Sequence, residues 1–232
     1  MRSFIVKIVV FFMLINFNPI GASAQPTKFF VKANVSFPKA VSNKFFRQKY
    51  TGVYNLDLSV NYLVSKSIYV GLGGDYKMFQ LRDNYVSTRK TYIENKKGYS
   101  VSSKALSGLV NIGYWKSDGA SLVTDFNIGV GIMQTTNNTP IDTLKITTLT
   151  KAFTLQPKVG FYWYVDDDKL MMLGGTIGYT YVNSRFDADA LKYNLISIDY
   201  TARDTKFSTQ YINFGLGLIY RIGKSSGSNE FE

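Results

Sequence analysis

Hydrophobic and polar residues alternate with period two along most of the chain past residue 27, and the alternation falls into eight segments. The first, about 28–37, sets Phe29, Val31, Ala33, Val35 and Phe37 on one face against Phe30, Lys32, Asn34 and Ser36 on the other. Seven more are predicted at about 50–64, 67–80, 102–115, 120–134, 151–165, 169–183 and 208–222. Their apolar faces carry runs such as Leu56, Leu58 and Val60, or Phe214, Leu216 and Leu218. Their other faces are Gly, Ser, Thr and Asn with scattered charge.

Alternation alone also fits a soluble barrel with an apolar interior. Three features decide for a membrane. Strands of about 10–16 residues exceed the usual soluble length and suit a tilted bilayer crossing. Aromatic residues end the apolar face at both levels: Tyr62, Tyr114, Trp163 and Tyr220 near one end, Tyr50, Tyr54, Tyr76, Phe153 and Tyr181 near the other, as in two interfacial girdles. The polar face is rich in glycine, with Gly71, Gly73, Gly129, Gly131, Gly215 and Gly217 among others, which suits a narrow lumen. Lipid offers an open sheet edge no hydrogen-bond partner, so the strands must close.

Connections alternate between short, near 65–66, 116–119 and 166–168, and long, about 38–49, 82–101, 135–150 and 184–207. The expected fold is all-β: an eight-stranded antiparallel up-and-down transmembrane β-barrel with short periplasmic turns and four long extracellular loops. Pro157 removes a ladder donor inside the sixth strand, and a β-bulge is expected there. Asn137-Asn138-Thr139-Pro140 reads as loop.

The N-terminus changes the compartment rather than the fold. Arg2 and Lys7, an apolar run from Ile8 to Phe17, and Ala22-Ser23-Ala24 before Gln25 read as a cleaved signal peptide. The organisation is therefore a signal peptide at 1–24, a barrel at 25–223 and a Gly/Ser-rich tail at 224–232, with an outer-membrane location expected. The chain holds no cysteine, which excludes disulfides, thiolate metal sites and cysteine nucleophiles. It holds no histidine, which argues against triad hydrolases and histidine-ligated metals, so neither an enzyme nor a cofactor is expected. The formal charge of +11 falls to +9 without Arg2 and Lys7. Export argues against nucleic acid, leaving anionic lipid or lipopolysaccharide phosphates as partners.

The Ala22-Ser23-Ala24-Gln25 site, the segment Leu155-Gln156-Pro157-Lys158-Val159-Gly160-Phe161 and the closing Phe214-Gly215-Leu216-Gly217-Leu218-Ile219-Tyr220-Arg221 resemble the small eight-stranded outer-membrane barrels of OmpA and OmpX type. They are similar above all to the outer-membrane β-barrel domain family of the Bacteroidota. The resemblance implies fold and location. Enzymatic barrels of this general kind, the lipid A acyl transferases and deacylases, phospholipases and omptin proteases, use a catalytic histidine that this chain does not have. Residues 223–232 also extend beyond the last strand, where many such barrels end on an aromatic residue.

Candidate residues fall in two groups. On the polar face, Lys32, Asp57, Asp75, Lys77, Asp125, Lys158 and Arg221 would be costly unpaired in a narrow lumen, and a salt-bridged plug is expected ahead of a selective pore. The three aspartates could also be read as an acid/base cluster, a reading without a substrate. In the first two long loops, Lys39, Lys44, Arg47 and Lys49 with no acid, then Arg82, Arg89, Lys90, Lys96 and Lys97 against Asp83 and Glu94, with Tyr85, Tyr92 and Tyr99, form a basic surface suited to lipopolysaccharide phosphates or an acidic partner. The expected function is a structural or interaction scaffold contacting lipopolysaccharide or a larger outer-membrane complex. The alternative is a narrow pore or an accessory subunit of a secretion or uptake system, of the PorT-like kind.

Overall fold

The computed structural model describes residues 28–42, 44–81, 102–118, 121–141, 144–185 and 208–222. The proposed signal peptide, residues 82–101 with Arg82, Arg89, Lys90, Lys96 and Lys97, and the tail lie outside them. Eight strands, β1 (Phe29–Ala40), β2 (Tyr50–Leu63), β3 (Ile68–Leu81), β4 (Ser102–Ser117), β5 (Leu122–Ile141), β6 (Leu144–Tyr164), β7 (Met171–Arg185) and β8 (Ser208–Arg221), form a closed barrel in sequence order. Every neighbouring pair is antiparallel, and β8 returns to β1 through Phe30↔Arg221 to Ala40↔Tyr211. The all-β, up-and-down barrel expected from the alternation is the fold observed.

Closure sorts the two faces of each strand. Leu56, Leu58, Leu72, Val110, Ile132, Phe214 and Leu216 point outward and stay exposed, whereas Lys32, Asn55, Asn61, Asp75, Lys77 and Asn111 are buried inside. No helix among the described residues is long and apolar enough to cross a membrane.

The three short turns are closed by side-chain acceptors. Ile68 N donates to Ser65 Oγ at 3.1 Å. Ser121 N and Leu122 N donate to Asp118 Oδ1 at 3.0 and 2.9 Å. Leu170 N and Met171 N donate to the two Asp166 carboxylate oxygens at 2.9 and 2.8 Å. These fix turn geometry and register together.

Four expectations need correction. First, 135–141 and 144–150 are strand rather than loop: β5 and β6 pair from Leu122↔Trp163 to Ile141↔Leu144, so Asn137-Asn138-Thr139-Pro140 is strand. Unbroken pairing with β6, through Asn137↔Thr148, Asn138↔Thr147 and Thr139↔Ile146, overrides the turn-forming residue types. Second, 38–49 contains the end of β1 and a short helix, α1 (Lys44–Lys49). Third, Pro157 makes no bulge. Leu155↔Tyr181 and Lys158↔Gly178 keep one register, and the ladder to β7 drops the two positions between them while Pro157↔Ile128 stays paired to β5. The missing donor costs pairing on one side only.

Fourth, Tyr50 is not in an outer girdle; it is 2% exposed and faces the lumen. The register of β2 on β3 shifts between Gly52 and Tyr54. One extra residue there inverts the inside–outside parity, so Tyr50 points in although Tyr54 points out.

Candidate functional site in the lumen and on the outer wall

The lumen is organised in layers. At the short-turn end, Phe30, Tyr69, Trp115 and Tyr162 pack with Leu63, Val123, Met172 and Ile219 into a buried cluster. Phe30 stacks on Trp115 at 4.8 Å between ring centroids and meets Tyr69 edge-on at 5.1 Å. These rings need space in a narrow tube, and glycine provides it. A Cβ on Gly113 would lie 2.0 Å from Tyr69 Cζ, and one on Gly160 would lie 2.3 Å from Tyr162 Cε2.

Above this seal lies the charge layer. Lys32 Nζ reaches both Asp125 oxygens at 2.7 Å and also bonds Tyr69 Oη. Tyr69 Oη donates to Asp125 Oδ1 at 2.7 Å and accepts from Asn127 Nδ2 at 3.2 Å. Lys158 Nζ pairs with Asp57 Oδ2, whose other oxygen accepts from Asn34 Nδ2 at 2.9 Å. Lys77 Nζ donates to Asp75 Oδ1 at 2.6 Å, which also accepts from Ser107 Oγ at 3.2 Å. An ion in so dry a place holds only if paired, and each of these is, with Asp75 Oδ2 alone among the six ions' described carboxylate oxygens left without a hydrogen-bond partner. A cavity of about 20 Å³ beside Lys32, Asp57, Asp125, Lys158 and Tyr162 has room for about one water.

A second aromatic cluster closes the loop end. Phe46, from α1, stacks on Tyr50 at 4.8 Å and meets Phe79 at 5.0 Å and Tyr211 at 5.9 Å. Phe79 and Tyr211 are 4.8 Å apart.

The structure brings six of the seven polar-face candidates into three pairs: Lys32 with Asp125, Lys158 with Asp57, and Lys77 with Asp75. Arg221 lies elsewhere, at the short-turn rim with its guanidinium 5.9 Å from the Trp115 ring centroid. Tyr62, Tyr114, Trp163 and Tyr220 point outward at that same end, with Tyr62 against Phe29 at 4.9 Å. Of the basic loop residues, Lys39 is exposed on β1 and Arg47 exposed on α1; Lys44 and Lys49 begin and end that helix.

The aromatic seals were not singled out from sequence, although strand parity marks them. Tyr69 sits between outward Ile68 and Val70, Tyr162 between outward Phe161 and Trp163, and Trp115 beside outward Tyr114. An aromatic on the polar register of a small barrel is the signal for a plug.

Acidic charge on the outside is one-sided among the described residues. Toward the loop end, the outward positions of the described residues include Lys39, Lys104 and Lys151 and hold no carboxylate. Among the described residues, the acidic side chains outside the lumen, Asp118, Asp166, Asp167 and Asp168, lie in the short turns, where Lys66, Lys116 and Lys169 also stand. Each of the three lysines is ten or twelve residues along its strand from Phe29, Tyr114 or Trp163. At about 3.3 Å per residue on strands tilted about 40–45°, that separates the two levels by about 25 Å.

No family model and no curated protein matches the chain. Among solved structures, Neisserial surface protein A aligns at 11% identity with a TM-score of 0.53, covering 86% of this chain and 100% of that one. A major outer membrane protein from Thermus thermophilus aligns at 15% identity with a TM-score of 0.50, covering 83% of this chain and 98% of that one. Both likenesses are likenesses of fold.

Proposed function

We propose that this chain is an integral outer-membrane barrel with a closed lumen, acting as a scaffold whose outer wall and loop end contact outer-leaflet lipopolysaccharide or a larger membrane complex. The observation that carries this reading is the filling of the lumen: three ion pairs lie between two aromatic clusters, inside a wall whose outward residues are apolar and exposed. Exposed Leu, Ile and Phe around a whole barrel suit a lipid environment and would be an aggregation hazard in water. The band of about 25 Å between its aromatic and lysine levels matches the apolar height of such barrels. Short turns then face the periplasm, and the basic end faces the outer leaflet.

A packed lumen supports a scaffold over a pore. The test is planar-bilayer recording on the refolded protein together with fractionation of cells expressing the full chain. Current at the lipid baseline and recovery in the outer-membrane fraction are expected. Stable unitary conductance would overturn the closed-lumen reading, and recovery in a soluble fraction would overturn the location.

A further inference from the structure

The outer wall is not uniformly studded with large side chains. Leu173, Leu218, Ala33, Leu58 and Gly74 are successive ladder partners across β7, β8, β1, β2 and β3, and Gly74 pairs onward with Gly108 on β4. Within this row the exposed Leu173, Leu218 and Leu58 flank the small Ala33 and Gly74, where the wall is low. The result is an open apolar groove of about 610 Å³ running obliquely around the barrel from Leu173 to Leu106.

The upper end of the groove is chemically marked. Leu106 lies on β4, and the next outward residue toward the loop end is Lys104, beside Met78. Lys104 has no carboxylate partner among the described residues. Lys39 faces outward near the same level, and the described acidic side chains are lumenal or at the opposite end. At the lower end, next to Leu173, the outward neighbours are Met171 and Tyr220, which carry no charge.

We propose that this groove seats an acyl chain of a phosphorylated glycolipid of the outer leaflet, with the Lys104 ammonium at its phosphate. Three observations select this occupant. An apolar groove several strands long, walled by Leu56, Leu58, Leu216 and Leu218 and lowest at Ala33 and Gly74, fits an extended hydrocarbon chain. An acyl chain seated there touches the flanking leucines on both sides as well as the low floor at Ala33 and Gly74. Lys104 stands beyond the Leu106 end of the groove, where the outward positions of the described residues carry no carboxylate, so a lipid whose anionic head lies on the loop side fits. The proposal rests on the outer-membrane reading above.

The test uses the full refolded barrel in detergent micelles, titrated separately with bis-phosphorylated lipid A, with the same lipid dephosphorylated, and with phosphatidylglycerol, and read by native mass spectrometry. One lipid A retained per barrel is expected, with weaker retention of the other two. Ala33→Phe fills the groove from the outside without entering the lumen, and should lower lipid A retention about tenfold. Lys104→Gln should lower it about fivefold, as loss of one lysine–phosphate contact implies, and should erase the difference between lipid A and its dephosphorylated form. Heat-modifiable gel migration verifies that each variant is folded, and if Ala33→Phe fails it, Lys104→Gln carries the test. Wild-type retention by the folded variants would overturn the proposal, as would equal binding of all three lipids. A barrel that fractionates with the outer membrane yet shows either result refutes the groove alone; failure of the fractionation refutes the location.

Discussion

Lys32 on β1 and Asp125 on β5 stand on opposite walls of the barrel, four strands apart in a closed ring of eight, and their charged groups meet at 2.7 Å. Lys158 on β6 and Asp57 on β2 repeat the relationship one strand further round. The lumen is thus crossed by two ionic braces of different bearing. Truncating one end of a brace strands the other charge in a dry interior. Lys32→Met should cost about 3–5 kcal/mol of unfolding free energy, whereas Lys32→Met combined with Asp125→Leu should recover most of that loss. Urea titrations in lipid vesicles measure both; strictly additive single losses would contradict the brace.

Gln156 is fully buried, and neither amide atom has a hydrogen-bond partner among the described residues. An apolar residue of similar size removes that penalty without breaking a pair. Gln156→Leu should raise stability by about 1 kcal/mol. A fall in the urea midpoint would mean that the amide is satisfied by water that leucine displaces.

Phe46 fixes α1 to the mouth of the lumen. Phe46→Ala should release the helix, so that trypsin cuts at Arg47 while the barrel remains protease-resistant and heat-modifiable. Conductance should stay at baseline in this variant, because the cluster around Phe30, Tyr69 and Trp115 still closes the other end. Adding Tyr69→Ala should leave conductance at baseline as well, because Phe30, Trp115 and the Lys158–Asp57 and Lys77–Asp75 pairs still fill the lumen.

Lys169 holds a positive φ of 51° in the turn before β7. Glycine adopts that conformation without the Cβ clash, and the surrounding bonds to Asp166 come from backbone N–H groups that glycine retains. Lys169→Gly should therefore be neutral to stabilising by up to about 1 kcal/mol in the same urea assay; a clear loss would show that the lysine side chain contributes to the turn.

Most of the barrel was legible because a wall with lipid outside and a packed lumen inside forces period two on every strand. Phe29 and Phe30, or Trp163 and Tyr162, take opposite sides for that reason alone. What alternation hides is anything that shifts parity or depends on the far wall. Tyr50 departs from its expected side because the shift between Gly52 and Tyr54 inverts inside and outside; Gly52, whose Cβ would meet the Pro38 carbonyl, is the one residue that hints at it. The charged residues could be grouped as a network, but which lysine meets which aspartate depends on closure: Lys32 and Asp125 are 93 positions apart in the chain. The groove is hidden for a related reason. Ala33 and Gly74 look unremarkable in their own strands and become neighbours of one depression only after the ladders are in register.

The wall of this barrel is one residue thick. Lys32, Asp57 and Asp75 inside are each the chain neighbour of Ala33, Leu58 and Gly74 outside, so the charge layer and the groove floor share the same peptide units. The braces therefore hold more than the lumen. By fixing the cross-section where β1 and β2 pass under the groove, they set its depth, and a change made to the protein's interior is delivered directly to the surface that lipid touches.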